Sequence, residues 1–136
     1  MTTSITYEGE FRCTAVHNQS GSGIETDAPT DNKGKGERFS PTDLVVTALG
    51  TCILTTMAIK AKEMGIELQG TTVDVQKHMS TEAPRRIVKI EAEIKFPASH
   101  FEEKDMTTLE RIGNHCPVAR SLHPDIIQDI KYVWAQ

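Results

Sequence analysis

The sequence predicts an α+β domain in which antiparallel β-sheet packs around one long buried helix. Three observations support this fold class. A β-rich N-terminal third comes before a long run of helix formers over residues 44–64. Residues 71–79 and 86–96 then alternate in polarity, as the two arms of a hairpin do. A helix, a short helix and a last strand follow, and such segregated runs of strands and helices are typical of α+β proteins.

Length and composition indicate one globular domain over residues 1–136. Hydrophobic residues make up 38% and charged residues 25% of the chain, which argues against disorder. The net charge is −4 and no long basic run is present, so no nucleic-acid partner is expected. No signal peptide and no membrane span are expected either, because every apolar stretch is interrupted by polar residues. A cytoplasmic location follows as the expectation.

The N-terminal third is interpreted as β structure. Apolar residues recur at even spacing over residues 7–15, and Gly9 interrupts them as a possible turn. The polar residues 17–23 predict a second turn, and residues 24–27 predict a returning strand. Cys13 falls within this alternating segment and is assigned to the core.

The clearest local signal is Ser40-Pro41-Thr42-Asp43, which predicts the start of the long helix. Serine is a good N-cap, proline fits the first helical position, and an acidic residue suits the positive end of a helix. Gly65 predicts the end of this helix. Its side chains are apolar nearly all round over residues 44–59, which predicts a central, buried helix.

The second half of the chain carries three further signals. Residues 99–102, Ser-His-Phe-Glu, have the pattern of a capping box for the next helix, which Gly113 is expected to end. Cys116-Pro117 predicts a short helix with the cysteine as its N-cap. Residues 127–134 predict the last strand. In the second hairpin arm the core-facing positions are Val88, Ile90, Ala92 and Ile94.

The three cysteines include no C-x-x-C pair, which disfavours a disulfide scaffold or a Cys-rich zinc site. Cys52 lies in the middle of the apolar helix, where a plain core cysteine is the simpler interpretation. Cys116 changes this balance, because a thiol at a helix start faces unpaired N–H groups that favour thiolate. The two residues together suggest a redox pair, in which a peroxide oxidises one thiolate to sulfenic acid and the other thiol condenses with it.

A thiolate within an apolar helix needs stabilisation, because burial raises the pKa of a thiol. We expect a cation, held in place by a carboxylate. Asp43 lies nine residues before Cys52 and is expected on roughly the same face of the helix. Arg38, just upstream, is the candidate cation. A solvated surface position stays open for each arginine, and the other possible donors are Arg12, Arg111 and Arg120.

Histidines offer weaker candidates for chemistry. His115 stands beside Cys116 and invites a Cys–His pairing, but neighbouring residues at a helix start usually point apart. A surface histidine is therefore favoured. The histidines share no metal-ligand spacing, so the residues indicate no metal site.

Two stretches resemble motifs of the OsmC/Ohr proteins. Residues 36–52, GERFSPTDLVVTALGTC, are similar to the family's central-helix motif, in which an Asn/Ser-Pro-x-Asp/Glu-Leu start leads to the peroxidatic cysteine. Residues 114–122, NHCPVARSL, are similar to its second-cysteine motif. The order of elements matches as well, so the resemblance covers essentially the whole chain.

The resemblance implies an OsmC-like fold that forms an intertwined homodimer, with two active sites at the subunit interface. It also implies a peroxiredoxin-like thiol peroxidase that reduces organic hydroperoxides, and hydrogen peroxide less well in some members. Cys52 would attack the peroxide and Cys116 would resolve the oxidised sulfur as a disulfide. A lipoylated protein or a dithiol would then reduce that disulfide, and no metal or organic cofactor is expected.

Two positions depart from the family pattern. Ohr-type members have an arginine in the first hairpin and a glutamate near the helix start, and Gln19 and Thr42 stand at those places here. Asp43 is the candidate replacement for the glutamate, and Arg38 or Arg12 for the arginine, which points to the more divergent, YhfA-like side of the family. Two alternatives therefore stay open: a non-catalytic protein that binds a small apolar or thiol-containing ligand in the stress response, and a dimeric stress-response domain whose cysteines are only structural.

Overall fold

A computed structural model describes residues 1–135 of the chain. These residues group into two compact units, an N-terminal unit, Met1–Val45, and a C-terminal unit that begins at Val46. The predicted α+β class is confirmed, since each unit contains one three-stranded sheet and the long helix α1 covers Pro41–Glu63.

The N-terminal unit is built on an antiparallel sheet in the order β1-β2-β3. The turn predicted at Gly9 is confirmed, because Gly9, Glu10 and Phe11 all have positive φ and link the first two strands. Phe11 therefore lies in an exposed turn and does not continue the alternating face. The strands are β1 Thr3–Gly9, β2 Arg12–His17 and β3 Gly23–Asp27.

One face of this sheet is apolar and open. Ile5 and Ile24 are 66% and 51% exposed, and with Ala15 they line a groove of ≈ 530 Å³. Cys13 is half-buried and lines the same groove, so its assignment to the core is wrong. The apolar positions of this unit thus form a surface rather than a closed core.

Helix α1 begins where the sequence predicts. The hydroxyl of Ser40 accepts a hydrogen bond from the Asp43 N–H at 3.1 Å, and the Asp43 carboxylate accepts one from the Ser40 N–H at 2.9 Å. This reciprocal pair satisfies two N–H groups at the helix start. At the other end, Gly65 adopts a φ of 74°, which lets the chain turn away from the helix as expected.

The burial of α1 differs from the prediction. One stripe of the helix is buried, but Ala58 is exposed and Ile59 is 66% exposed, so the helix is not enclosed on every side. By length and composition alone α1 would also suffice to cross a membrane, which was not expected, although the core helix of a soluble protein passes the same test. Its buried residues are Val46, Leu49, Gly50, Ile53, Met57 and Ala61.

The sheet of the C-terminal unit confirms the hairpin but corrects the purely antiparallel prediction. Strands β4 Thr72–Met79 and β5 Ile87–Lys95 pair antiparallel, whereas β6 Ile127–Val133 pairs with β5 in parallel. The helices between β5 and β6 explain this, because a parallel pair requires a long crossover connection. Ile90, Ala92 and Ile94 are buried as predicted.

Near the hairpin bend the predicted alternation fails. The register shifts between His78 and Met79, so that Met79 pairs with Ile87. Such a bulge turns the side chains beyond it to the other face. Ile87 is consequently buried, while Val88, which was expected in the core, is only half-buried.

Helix α2 covers Glu103–Asn114, and its start differs from the prediction. Glu102 occupies the N-cap position and its side chain makes no capping hydrogen bond, so the expected capping box is absent. Gly113 lies inside the last turn rather than ending the helix. It is buried so tightly that an added Cβ would lie 2.5 Å from the hydroxyl of Tyr132.

Aromatic rings close one end of the C-terminal unit. Phe96 stacks on Trp134 with ring centroids 3.6 Å apart, and Phe101 meets Trp134 edge-on at 4.9 Å. The Trp134 indole N–H donates a hydrogen bond to the Glu110 carboxylate at 2.7 Å. The chain beyond β6 is thereby anchored to α2.

Candidate active site

The structure brings Cys52 and Cys116 together inside the C-terminal unit. Cys52 lies in the middle of α1, and Cys116 is the N-cap of helix α3, Pro117–Ser121, as the Cys-Pro pair predicted. Both are free thiols, and each lies near enough to the other to shift its pKa. Cys52 is half-buried, whereas Cys116 is fully buried.

Cys116 is the less acidic of the two thiols. Burial raises its pKa, the Ala119 N–H partly opposes this, and the contact with Cys52 raises the pKa further. The Ala119 N–H lies 3.4 Å from the Cys116 sulfur. The expectation that the helix start would make Cys116 a thiolate is therefore wrong, because the N–H groups of Ala119 and Val118 do not offset removal from water and the contact with Cys52.

Cys52 has the opposite balance. Burial raises its pKa, but the Val118 N–H, the Cys116 thiol and the Thr56 hydroxyl favour the thiolate, and together they hold the pKa below its ordinary value. The Thr56 oxygen lies 3.8 Å from that sulfur. The start of α3 thus favours the thiolate of Cys52 as well as that of its own N-cap residue, and burial outweighs this effect at Cys116 alone.

The two sulfurs are therefore suited to different chemistry. The thiolate is the reactive form of cysteine, and the more acidic sulfur, Cys52, is also the more accessible one. Within residues 46–135, no lysine, arginine or histidine is among the groups that shift the pKa of Cys52. Within this unit, neutral groups favour the thiolate of Cys52, whereas the sequence predicted a cation for this role.

Asp43 has the contacts of a helix cap, described above. The expectation that it shares a face with Cys52 is wrong, because nine residues at about 100° per residue amount to two and a half turns and place the two on opposite sides of α1. Arg38 is exposed. Its Nη1 donates to the Glu37 carbonyl at 3.0 Å, and its Nε lies 3.8 Å from the Glu25 carboxylate. Activation of a thiolate by Arg38 and Asp43 stays a prediction.

Arg12 forms the strongest ionic contact of the N-terminal unit. Its guanidinium donates to both oxygens of Asp27, at 2.7 and 2.9 Å, and Asp27 is only 1% exposed. This bond holds the pKa of Asp27 below its usual range. Asp27 also accepts the Glu37 N–H at 3.1 Å, so the pair fixes the loop that leads to α1.

Two kinds of partner for the candidate residues were not predicted from the sequence: the side chains of Asp27 and Thr56, and the backbone N–H of Val118. Asp27 pairs with Arg12 because the two residues are directly opposite on β2 and β3. A turn centred on residues 17–23 would place Arg12 opposite residue 28, so the predicted turn does not give this register. Thr56 lies four residues after Cys52, and positions four apart on a helix are neighbours. The effect of Val118 on the pKa of Cys52 could not be predicted in this way, because it comes from the backbone N–H and not from the side chain.

The remaining candidates have ordinary surroundings. His115 is exposed and its Nδ1 bonds the Arg111 carbonyl at 2.8 Å, which agrees with a surface histidine. Arg111 and Arg120 are exposed as well. Residues 1–135 contain no group of three or more His, Cys, Asp or Glu side chains placed to hold a metal ion.

Comparison with known proteins gives an independent view. The model of a family described as OsmC-like protein matches residues 34–131. An osmotic stress induced and detoxification response protein from Psychrobacter arcticus is 44% identical, with a TM-score of 0.92, and the match covers 97% of this chain and 95% of that one. No curated protein matches the chain.

Two more distant structures show the same fold. An organic hydroperoxide resistance protein OsmC from Legionella pneumophila is 12% identical over 100% of this chain and 98% of that one, with a TM-score of 0.73. An organic hydroperoxide resistance protein from Elizabethkingia anophelis is 14% identical over 98% and 96%, with a TM-score of 0.75.

Fold and site together define an α+β protein in which two cysteines from separate helices meet. This chain belongs to the OsmC-like protein family, since the family model matches most of its length and the Psychrobacter relative is similar throughout. The family resemblance seen in the sequence is thereby confirmed. Some of its structural neighbours are organic hydroperoxide resistance proteins.

Proposed function

We propose that this protein is a thiol peroxidase that reduces organic hydroperoxides, and hydrogen peroxide less well. One observation carries the proposal: Cys52, the more accessible of the two cysteines, has a lowered pKa and lies beside the buried thiol of Cys116, which acts on that pKa. A nucleophilic thiolate with a second thiol beside it is what a sulfenic-acid cycle requires. The free thiols are suited to the reducing cytoplasm, where we place the protein.

In the first step the Cys52 thiolate attacks the terminal oxygen of the hydroperoxide. The O–O bond breaks, the alkoxide takes up a proton and leaves as an alcohol, and Cys52 becomes a sulfenic acid. The Val118 N–H and the Thr56 hydroxyl favour the thiolate that enters this step. The peroxide is reduced by two electrons, and the sulfur is oxidised by two.

In the second step Cys116 attacks the oxidised sulfur. A sulfur–sulfur bond forms, the sulfur–oxygen bond of Cys52 breaks, and the leaving hydroxide combines with the Cys116 proton as water. Burial and a raised pKa keep Cys116 protonated until its neighbour is oxidised. We propose that a lipoylated protein or a dithiol then supplies two electrons and restores both thiols.

We further propose that the protein works as a homodimer. The support is the open apolar face of the N-terminal unit, where Ile5, Tyr7 and Ile24 are each more than half exposed. Apolar residues clustered on a surface usually mark a site of association. A second subunit would cover this face.

The same groove favours a second candidate, a binding protein for a small apolar ligand. Its volume of ≈ 530 Å³ lies within the range of small-molecule sites, and its lining is largely apolar. Titration with a fluorescent fatty acid, set beside a peroxide assay, separates the two candidates. Tight binding without peroxide consumption would favour the binding protein.

Single-cysteine variants test the peroxidase directly. Cys52→Ser is expected to lower kcat/KM for an organic hydroperoxide at least about a thousandfold. Cys116→Ser should still consume one equivalent of peroxide and then accumulate sulfenic acid on Cys52, detected by dimedone labelling and mass spectrometry. Cys13→Ser, the matched control, should keep full activity. Retained turnover in Cys52→Ser would refute the proposal.

A further inference from the structure

The hydroxyl of Thr56 contacts the sulfur at the centre of the candidate site. Thr56 is half-buried on α1, one turn after Cys52, and its Oγ1 lies 3.8 Å from the Cys52 sulfur. Among the described residues, this sulfur is its only hydrogen-bond partner. The contact sets Thr56 apart from the other threonines in this part of the helix.

Two neighbouring threonines show what the helix does by default. The Thr55 hydroxyl donates to the Thr51 carbonyl at 2.9 Å, and the Thr51 hydroxyl donates to the Ala48 carbonyl at 3.2 Å. Threonine in a helix usually bonds to a backbone carbonyl of the preceding turn in this way. The Thr56 hydroxyl instead contacts the sulfur of Cys52.

We propose that Thr56 is a catalytic residue, whose hydroxyl donates a hydrogen bond to the Cys52 thiolate. The assignment rests on the proposed peroxidase function, because it concerns the nucleophile of that reaction. In a helix, the branched side chain of threonine has few rotamers, so the hydroxyl is held near the sulfur before the peroxide arrives.

This role fits the electrostatics of the site. No cation of the C-terminal unit is among the groups acting on Cys52, so each neutral donor carries a larger share of thiolate stabilisation. Of the three donors, the Val118 N–H belongs to the backbone and the Cys116 thiol is itself consumed in the reaction. Thr56 is therefore the donor that a side-chain substitution can remove without changing either reacting sulfur.

The test measures the acidity of Cys52 separately from peroxide turnover. Iodoacetamide alkylation is followed across pH, and mass spectrometry of the Cys52 peptide reports this thiol alone. Thr56→Val keeps the side-chain volume and removes the donor. We expect its alkylation profile to move to higher pH, and its rate with an organic hydroperoxide at pH 7 to fall about three- to tenfold.

Two further variants make the result specific. Thr56→Ser restores the donor and should return both readouts towards those of the natural protein. Thr55→Val, the matched control, removes a hydroxyl that contacts only backbone carbonyls and should change neither. A Thr56→Val profile that coincides with that of Thr55→Val would overturn the proposal.

The outcomes also separate this inference from the proposed function. If Thr56→Val moves the alkylation profile but no form of the protein consumes peroxide, Thr56 still stabilises the thiolate and the peroxidase function fails. If turnover is present and the profile does not move, the Thr56 role alone fails. Should Thr56→Val not fold, as judged by circular dichroism, Thr56→Ala gives the same comparison with Thr56→Ser.

Discussion

The two units use charged and apolar side chains in opposite ways. The N-terminal unit buries the carboxylate of Asp27, bonded on two atoms by Arg12, and exposes isoleucines on its sheet. The C-terminal unit buries its aliphatic side chains, Ile90 and Ile94 among them, together with the thiol of Cys116.

The two units also differ in the groups that favour the ionised form of an acidic side chain. A buried carboxylate needs a strong partner, and Asp27 has a guanidinium. The larger, more polarisable sulfur of Cys52 has only three neutral donors in its own unit, and they suffice to lower its pKa. The ionic network therefore organises a loop, while the acidity of the sulfur is set by hydrogen bonds.

The largest effect should separate the two sets of isoleucines. Ile90 is fully buried, so Ile90→Ala is expected to lower the free energy of unfolding by about 2–5 kcal/mol, through lost burial and the cavity left behind. Ile24→Ala, the same change at a half-exposed position, should mainly weaken association between subunits. Urea unfolding and light scattering, each over a range of protein concentrations, measure the two quantities.

Protein concentration distinguishes the outcomes. Ile90→Ala should lower the free energy of unfolding by a similar amount at every protein concentration. The decrease caused by Ile24→Ala should become smaller on dilution, because the subunits of the natural protein then separate as well. Equal losses at all concentrations would mean that Ile24 supports folding of its own chain. The proposal that the apolar face of the N-terminal unit binds a second subunit, whereas Ile90 stabilises a closed core, would then be contradicted.

A second prediction concerns the buried charge. Because the folded pKa of Asp27 is below its unfolded value, ionised Asp27 contributes stability that is fully present above the unfolded pKa, about 4. That contribution is lost as the pH falls through the folded pKa. Asp27→Asn should therefore unfold at lower urea concentration than the natural protein at pH 7, and the difference should narrow in acid.

Asp74→Asn provides the matched control for the buried charge. The Asp74 side chain is 83% exposed and lies 3.9 Å from the Lys95 ammonium, so its substitution should change stability little at any pH. Urea midpoints of the three proteins, taken from pH 7 to pH 3, give the comparison. A constant difference between Asp27→Asn and the natural protein would show that Asp27 does not titrate with a lowered pKa.

Much of this fold could be predicted because the signals are local. The reciprocal cap at Ser40 and the N-cap at Cys116 depend on residues adjacent in sequence, and both were predicted correctly. The parallel pairing of β6 was missed because it depends on how α2 and α3 return the chain to the sheet. The bulge beside Met79 was missed for a related reason, since one shifted residue reverses the alternation seen in the sequence.

The candidate site likewise has features that could be predicted from the sequence and features that depend on tertiary contacts. The pairing of Cys52 with Cys116 was suggested by residue type and motif, but the expectation that the helix start favours a thiolate at Cys116 was wrong. The deeper burial of Cys116 raises its pKa, and the Val118 N–H acts on both sulfurs; burial of a single residue and a backbone donor leave no clear signal in the sequence. Asp43 was assigned to the site from its position on the helix, whereas its carboxylate is used at the helix start.

The smallest effect should come from the hydroxyl of Tyr132, which links the last strand to the turn before Cys116. This hydroxyl donates to the Asn114 side chain at 2.9 Å and lies 3.3 Å from the Glu110 carbonyl. Burial raises the pKa of Tyr132, with smaller contributions from Glu110 and Cys116, so it stays a neutral donor. Tyr132→Phe keeps the ring and removes only this bond.

Loss of that bond should lower the free energy of unfolding by about 0.5–1.5 kcal/mol. It should also slow formation of the Cys52–Cys116 disulfide after a single addition of peroxide, because the segment that carries Cys116 is held less firmly, while the rate of sulfenic-acid formation stays unchanged. Thr108→Val is the matched control, since the Thr108 hydroxyl donates to the Lys104 carbonyl at 2.9 Å in an exposed hydrogen bond. If both variants formed the disulfide equally fast, Tyr132 would stabilise the fold without positioning the second sulfur.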